Sequence, residues 1–246
     1  MQLSYNNAER FIKPIFSQLG FHQLRNLILV VYGIILCRSL ECAQIAGHVP
    51  TQTSHHHTRK RIYEFLNNDR VDWEQMMSIW CRFIVAILLY SVRTYLPVIV
   101  DITWVNREKY LMAAIPFLSR SIPIVFRRFT DEEIRKGTSQ NLIENAFCTW
   151  LSRVLSGYRV VIIADRGFRR ASLLIHLREL GLDYVIRVCG NVWASTGKNA
   201  GDKYTGILGD VRVKAGTRRY FRNATYHKTE QIITHPVIGE TESREW

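Results

Sequence analysis

The chain has 246 residues, 47% of them apolar and 22% charged, so it is long enough for one large domain or two small ones and too apolar to be disordered. Lys and Arg number 33 against 21 Asp and Glu, a net charge of +12 that disfavours an ordinary small-molecule enzyme and favours a polyanionic partner, nucleic acid first and an anionic membrane surface second. The excess is spread as +4 over 1–96, +5 over 97–189 and +3 over 190–246, so a bound polyanion is expected to touch the folded body rather than a basic tail.

The first 96 residues read as helical. Leu24, Leu27, Ile28, Val31, Ile34 and Ile35 recur at helical spacing. A second helix is predicted over 58–67, with Thr58 as N-cap, Ile62, Phe65 and Leu66 on one face, and Asn67-Asn68-Asp69 as its stop. A third runs from Asp72 to Tyr95. The longest uncharged apolar run, between Arg25 and Arg38, has 12 residues, too short for a bilayer. The start, Met-Gln-Leu-Ser-Tyr-Asn-Asn, is unlike a signal peptide. His55-His56-His57 reads as a polar loop, because consecutive residues do not converge on one ion.

The pattern changes at Pro97. Val98–Trp104 is a β-branched run typical of a buried strand, and Tyr110–Pro116 and Ile122–Phe129 follow as strands. A helix over 139–156 carries two apolar rows, Leu142, Ala146, Trp150 and Val154 beside Ile143, Phe147, Leu151 and Leu155, and Gly157 stops it. Arg159–Ala164 is a fourth strand, 169–180 a helix, and Asp183–Cys189 a fifth strand. The order β-β-β-α-β-α-β predicts an α/β fold: three sequential strands, then crossovers. From 190 on, frequent glycines mark turns and short antiparallel strands such as Ile207–Val213 and Arg219–Phe221. The five cysteines, Cys37, Cys42, Cys81, Cys148 and Cys189, have neither disulfide-framework nor zinc-ribbon spacing, which suits a reducing compartment.

Two carboxylates stand out. Asp101 lies near the end of the first predicted strand and Asp165 at the end of the fourth. A carboxylate inside an apolar strand is costly unless paired or metal-bound. If those strands are neighbours, the two side chains converge, with carboxylates about 4–6 Å apart, and suit Mg²⁺ or Mn²⁺. The plainer reading of Asp165 is an N-cap of the next helix. Arg59-Lys60-Arg61, opening the second predicted helix, and Arg166 are candidates for phosphate contact; a solvated helix face and a salt bridge are the plainer readings.

Val-Asp101-Ile-Thr103 in a hydrophobic strand, Asp165-Arg166-Gly167-Phe168 after another, and Arg61-Ile-Tyr63-Glu-Phe65-Leu66-Asn67-Asn68 together resemble the DDE-type insertion-sequence transposases, most closely the insertion-sequence-four family. The resemblance covers most of the chain. It implies an RNase H-like mixed sheet with flanking helices over 97–189, preceded by an all-helical DNA-binding region over 1–96 and followed by a partial β-rich insertion over 190–246. It implies Asp101 and Asp165 as catalytic metal ligands for Mg²⁺ or Mn²⁺, and Arg59, Lys60, Arg61 and Arg166 as DNA-binding. The partners implied are double-stranded DNA (transposon ends and target) and further copies of the chain in a homo-oligomer when active, with no membrane, in a bacterial cytoplasm at the nucleoid.

The family's third carboxylate is a Glu on a helix after the insertion, in a Tyr-x-x-Arg-Trp-x-Ile-Glu-like segment, for which the sequence offers no equivalent. Glu240, Glu242 and Glu245 sit beside Gly239 without helical apolar spacing. The expectation is a chain that ends inside or just after the insertion and binds DNA without detectable cleavage. Two rivals stay open: a catalytically inactive DNA-binding transposase fragment, and an RNase H-like nuclease whose third carboxylate is Glu144 or Asp183. Glu144, flanked by apolar rows, is expected to face solvent.

Overall fold

A computed structural model describes residues 4–88, 95–106, 108–196, 204–214 and 217–239. The chain divides into two compact units, Met1–Leu88 and Leu89–Trp246.

The first unit is built from α1 (Tyr5–Ile15), α2 (Phe21–Cys37), α3 (Cys42–His48), α4 (His55–Leu66) and α5 (Trp73–Leu88). Its core joins Ala8 and Ile12 of α1, Leu27, Ile28 and Val30 of α2, Ile45 of α3, Ile62 and Phe65 of α4 and Met76 of α5. Helix α4 starts earlier than its sequence suggests. Ser54 is the N-cap, accepting from the His57 amide at 3.4 Å, so the three histidines form the first turn instead of a loop. Thr58 is buried one turn in, with its hydroxyl 3.0 Å from those of Thr51 and Thr53. It ties the preceding turn to the helix, and Ser54 performs the capping that Thr58 was expected to supply. The stop at Asn67 is as read. The predicted helix to Tyr95 is described only as far as Leu88, and 89–94 lie outside the described residues. Among the described residues no single helix is long and apolar enough to cross a membrane; α2 and α3 reach the length together but meet at 92°.

Gly33 lets α3 approach α2. A Cβ there would meet Ile45 Cγ2 at 2.6 Å and Val49 Cγ1 at 2.7 Å. Gly33→Ala therefore sets a gain in helix propensity of about 1 kcal/mol against overpacking of about 1–3 kcal/mol. The expected result is a loss of about 1 kcal/mol, read as a lower urea midpoint; an unchanged or raised midpoint would show that α3 gives way freely.

The second unit is mixed α/β. The strands β1 (Leu96–Val105), β2 (Glu108–Phe117) and β3 (Arg120–Phe129) form an antiparallel meander. Helices α6 (Asp131–Arg135) and α7 (Gln140–Val154) lead to β4 (Val160–Ala164), and α8 (Ala171–Glu179) leads to β5 (Asp183–Ile186). The sheet order is β3-β2-β1-β4-β5, with β4 parallel to both neighbours. Leu96, Val98 and Val100 alternate into the core beside Val160, Ile162 and Ala164, which is why these runs are apolar. On α7 the buried row is Ile143, Phe147 and Leu151. Leu142 and Ala146 of the other predicted row are exposed, because one helix face suffices against one core.

Beyond β5 the chain makes β6 (Trp193–Thr196), β7 (Thr205–Ile207), β8 (Arg218–Tyr220), β9 (Ala224–Tyr226), β10 (Ile232–Thr234) and β11 (Val237–Gly239). They form a four-stranded sheet, β10-β9-β6-β7, and a separate pair, β11-β8. Tyr226 and Ile232 seat the four-stranded sheet on Leu174 of α8. The run Ile207–Val213 is not a strand: β7 ends at Ile207 and a 3₁₀ turn occupies 208–210, with Leu208 as its buried anchor. Strand β5 likewise ends at Ile186, short of the predicted Cys189.

Candidate metal and nucleic-acid site

The parallel register of β1 and β4 runs Leu96↔Val160 to Val100↔Ala164. Asp101 and Asp165 are each the next residue, one step past the last pair. Side chains alternate between faces along a strand. With Val100 and Ala164 pointing into the core, both aspartates fall on the opposite face, and both are exposed. Adjacent strands lie about 4.8 Å apart, so the topology sets these two residues side by side where the β1–β4 pairing ends. Asp165 lies just past β4. Asp101 lies in the middle of β1, opposite Met112 of β2, rather than near the strand's end as its sequence suggests, because β1 runs on to Val105 in its pairing with β2.

Each aspartate is partly held by local backbone. Asp101 Oδ1 accepts from the Ile102 amide at 2.8 Å, and Asp165 Oδ1 from the Gly167 amide at 2.7 Å. Asp165 is the N-cap of the 3₁₀ turn Arg166–Phe168, so the plain capping role is present as well. Gly167 allows that contact: a Cβ there would stand 2.9 Å from Asp165 Oδ1. Phe168 is buried and anchors the turn.

Past the turn opens a cleft of about 920 Å³. Arg166, Arg169, Arg170 and Lys228 line it together with Trp193 and Tyr226, and among the described residues no carboxylate does. Tyr226 Oη donates to the Arg169 carbonyl at 2.8 Å, and the Arg169 guanidinium contacts Cys189 Sγ. Of this wall only Arg166 was legible as a candidate. The others sit in segments whose packing against α8 decides their direction; the run of arginines 166, 169 and 170 was the available signal.

The two other acids considered from sequence are placed elsewhere. Glu144 is buried, not solvent-facing, with 2% of its surface exposed. Its Oε2 is engaged by Arg170 Nη1 and its Oε1 accepts from Gln140 Nε2 at 2.8 Å. The helical spacing Gln140, Glu144, Cys148 lies beside the buried row, and Arg170 supplies the charge that lets a carboxylate follow it inward. Asp183 pairs with Val161 near the start of β4, away from the end that bears Asp165, and its carboxylate accepts from Arg159 Nε at 3.1 Å. Glu240, Glu242 and Glu245 lie outside the described residues. Among the described residues no group of three or more His, Cys, Asp or Glu side chains is arranged to hold a metal ion.

In the helical unit, Arg59 is exposed and Lys60 makes an exposed i,i+4 pair with Glu64 at 3.7 Å. Arg61 is turned toward α2, where its Nε donates to Asn26 Oδ1 at 2.7 Å. Partial burial, with Arg25 nearby, holds its guanidinium pKa below the usual value. The basic triplet thus splits into two outward cations and one that braces the unit.

Compared with known proteins, the chain matches no family model and no curated sequence.

Proposed function

We propose that the chain belongs to the DDE-type transposases, with an RNase H-like sheet in its second unit and a DNA-binding helical first unit. The observation that carries this reading is Asp101 and Asp165 in step, each one residue past the last paired position of the adjacent parallel strands β1 and β4, with a cleft walled by arginine and lysine past the Asp165 turn. Mg²⁺ or Mn²⁺ fits the donor set: two exposed hard-oxygen ligands, each with one oxygen steadied by a backbone amide. When bound, such an ion activates water or a 3′-hydroxyl and offsets charge at a phosphodiester. Asp101 and Asp165 hold the ion in this scheme, Arg166 meets a phosphate next to the reacting one, and Arg59 and Lys60 meet the duplex backbone. Double-stranded DNA is the substrate, acted on by a homo-oligomer in the bacterial cytoplasm.

A second reading, DNA binding without cleavage, is favoured by Glu144, whose oxygens are both committed to Arg170 and Gln140. Mn²⁺ titration followed by electron paramagnetic resonance, together with nicking of a terminal-repeat duplex, tests both. Loss of an outer-shell partner of a metal ligand already weakens affinity about 10–100-fold. Asp101→Ala and Asp165→Ala should each exceed that range. Mn²⁺ affinity indifferent to both substitutions would overturn the metal assignment. Metal-dependent nicking lost in Asp165→Ala would set aside the binding-only reading.

A further inference from the structure

We infer that the Glu144–Arg170 pair is a positioning device: it fixes the turn bearing Asp165 onto α7. For its functional consequence this rests on the metal reading of Asp101 and Asp165.

Among the described residues Glu144 is the one fully buried charged side chain, and Arg170 is largely buried with it. Arg170 grips α7 in three places. Its Nη1 meets Glu144 Oε2, and its Nη2 donates to Asn145 Oδ1 at 2.7 Å and to the Asn141 carbonyl at 3.1 Å. Its Nε is buried with no hydrogen-bond partner. Taking two charges out of water is expensive, and apolar replacements of such pairs are often as stable or more so. An unsatisfied buried donor adds to the cost. Net stability is therefore a poor account of this pair, and geometry is a better one.

The geometry is specific. Arg170 is the N-cap position of α8, where it makes no side-chain cap bond; the side chain is spent on α7 instead. Five residues earlier stands Asp165. The segment between has a handful of ties of its own: the Phe168 amide to the Asp165 carbonyl at 3.2 Å, Gly167 to the Asp165 carboxylate, the buried Phe168 ring, Tyr226 on the Arg169 carbonyl, and the Arg169 guanidinium on Cys189 Sγ. Strand β4 holds one end of the segment in the sheet register through Ala164. Arg170 pins the other end. With both ends fixed, Asp165 stays in step with Asp101; with the second end released, the turn pivots on Ala164.

The test compares the full chain with the double variant Glu144→Met, Arg170→Met, which removes both charges and so avoids leaving one buried. Two readouts are taken: amide hydrogen exchange at Gly167 and Phe168, and Mn²⁺ affinity, with the urea midpoint as a control for global folding. The expected result is an unchanged midpoint, exchange at those two amides faster by at least about tenfold, and Mn²⁺ binding weaker by about 10–100-fold. Arg170→Lys, which keeps the charge but cannot span three acceptors, should fall between. Unchanged exchange overturns the inference, and so does faster exchange with parental Mn²⁺ affinity. If the parent chain binds no Mn²⁺, or Asp165→Ala leaves binding intact, the metal reading fails by itself, and exchange alone then decides whether the pair holds the turn.

Discussion

Replacing Glu144 by alanine is expected to destabilise the second unit by about 3 kcal/mol or more, since breaking a buried pair from one side strands the other charge. Arg170 would keep its desolvated guanidinium, lose the carboxylate that compensates it, and retain only the Asn145 and Asn141 oxygens. Adding Arg170→Met should recover most of the loss, because apolar side chains then fill the site between α7 and α8. The resulting cycle measures a coupling of about 2–3 kcal/mol, at the upper end for contacting residues. Urea denaturation followed by circular dichroism reads it. A single variant within about 0.5 kcal/mol of the parent, the scale of an ordinary surface substitution, would mean that water reaches the pair.

The second large effect is on DNA affinity. Neutralising about five phosphates gives a log–log salt slope of roughly −4 to −5. Between 50 and 200 mM salt the affinity should therefore fall by about 300- to 1,000-fold. The structure divides the basic triplet unevenly. Arg59→Ala with Lys60→Ala should flatten the slope by about 2, one unit for each phosphate no longer neutralised. Arg61→Ala should change the slope less and lower the stability of the helical unit, because it removes the bond to Asn26. Fluorescence anisotropy with a labelled duplex at several salt concentrations checks both. A slope untouched by the double variant would take α4 out of the interface.

Much of the fold was legible because local chemistry repeats locally. The β-branched runs around Asp101 and before Asp165 read as buried strands, and the Ile143, Phe147, Leu151 row reads as one face of a helix. Strand limits moved by a few residues, since hydrogen bonding to a neighbour, which no single strand encodes, sets where pairing stops. The short strands after Ile186 were the least legible: three-residue elements carry too few side chains to show a period.

Asp101 and Asp165 were visible as candidates from the sequence alone, one as a carboxylate inside an apolar run and the other as a carboxylate ending one. Their being neighbours was decided only by the tertiary structure, through the parallel pairing of β1 with β4 across a separation in sequence that no local pattern spans. The same holds, in the opposite sense, for Glu144 and Arg61. Read locally, a Glu between apolar rows and an Arg in a basic triplet face water. In the fold each meets a partner brought from far along the chain, Arg170 for one and Asn26 for the other. Burying a charge depends on whether a compensating group arrives in space. Sequence periodicity determines which face of an element is apolar, and only the packed chain determines which charges can be satisfied there.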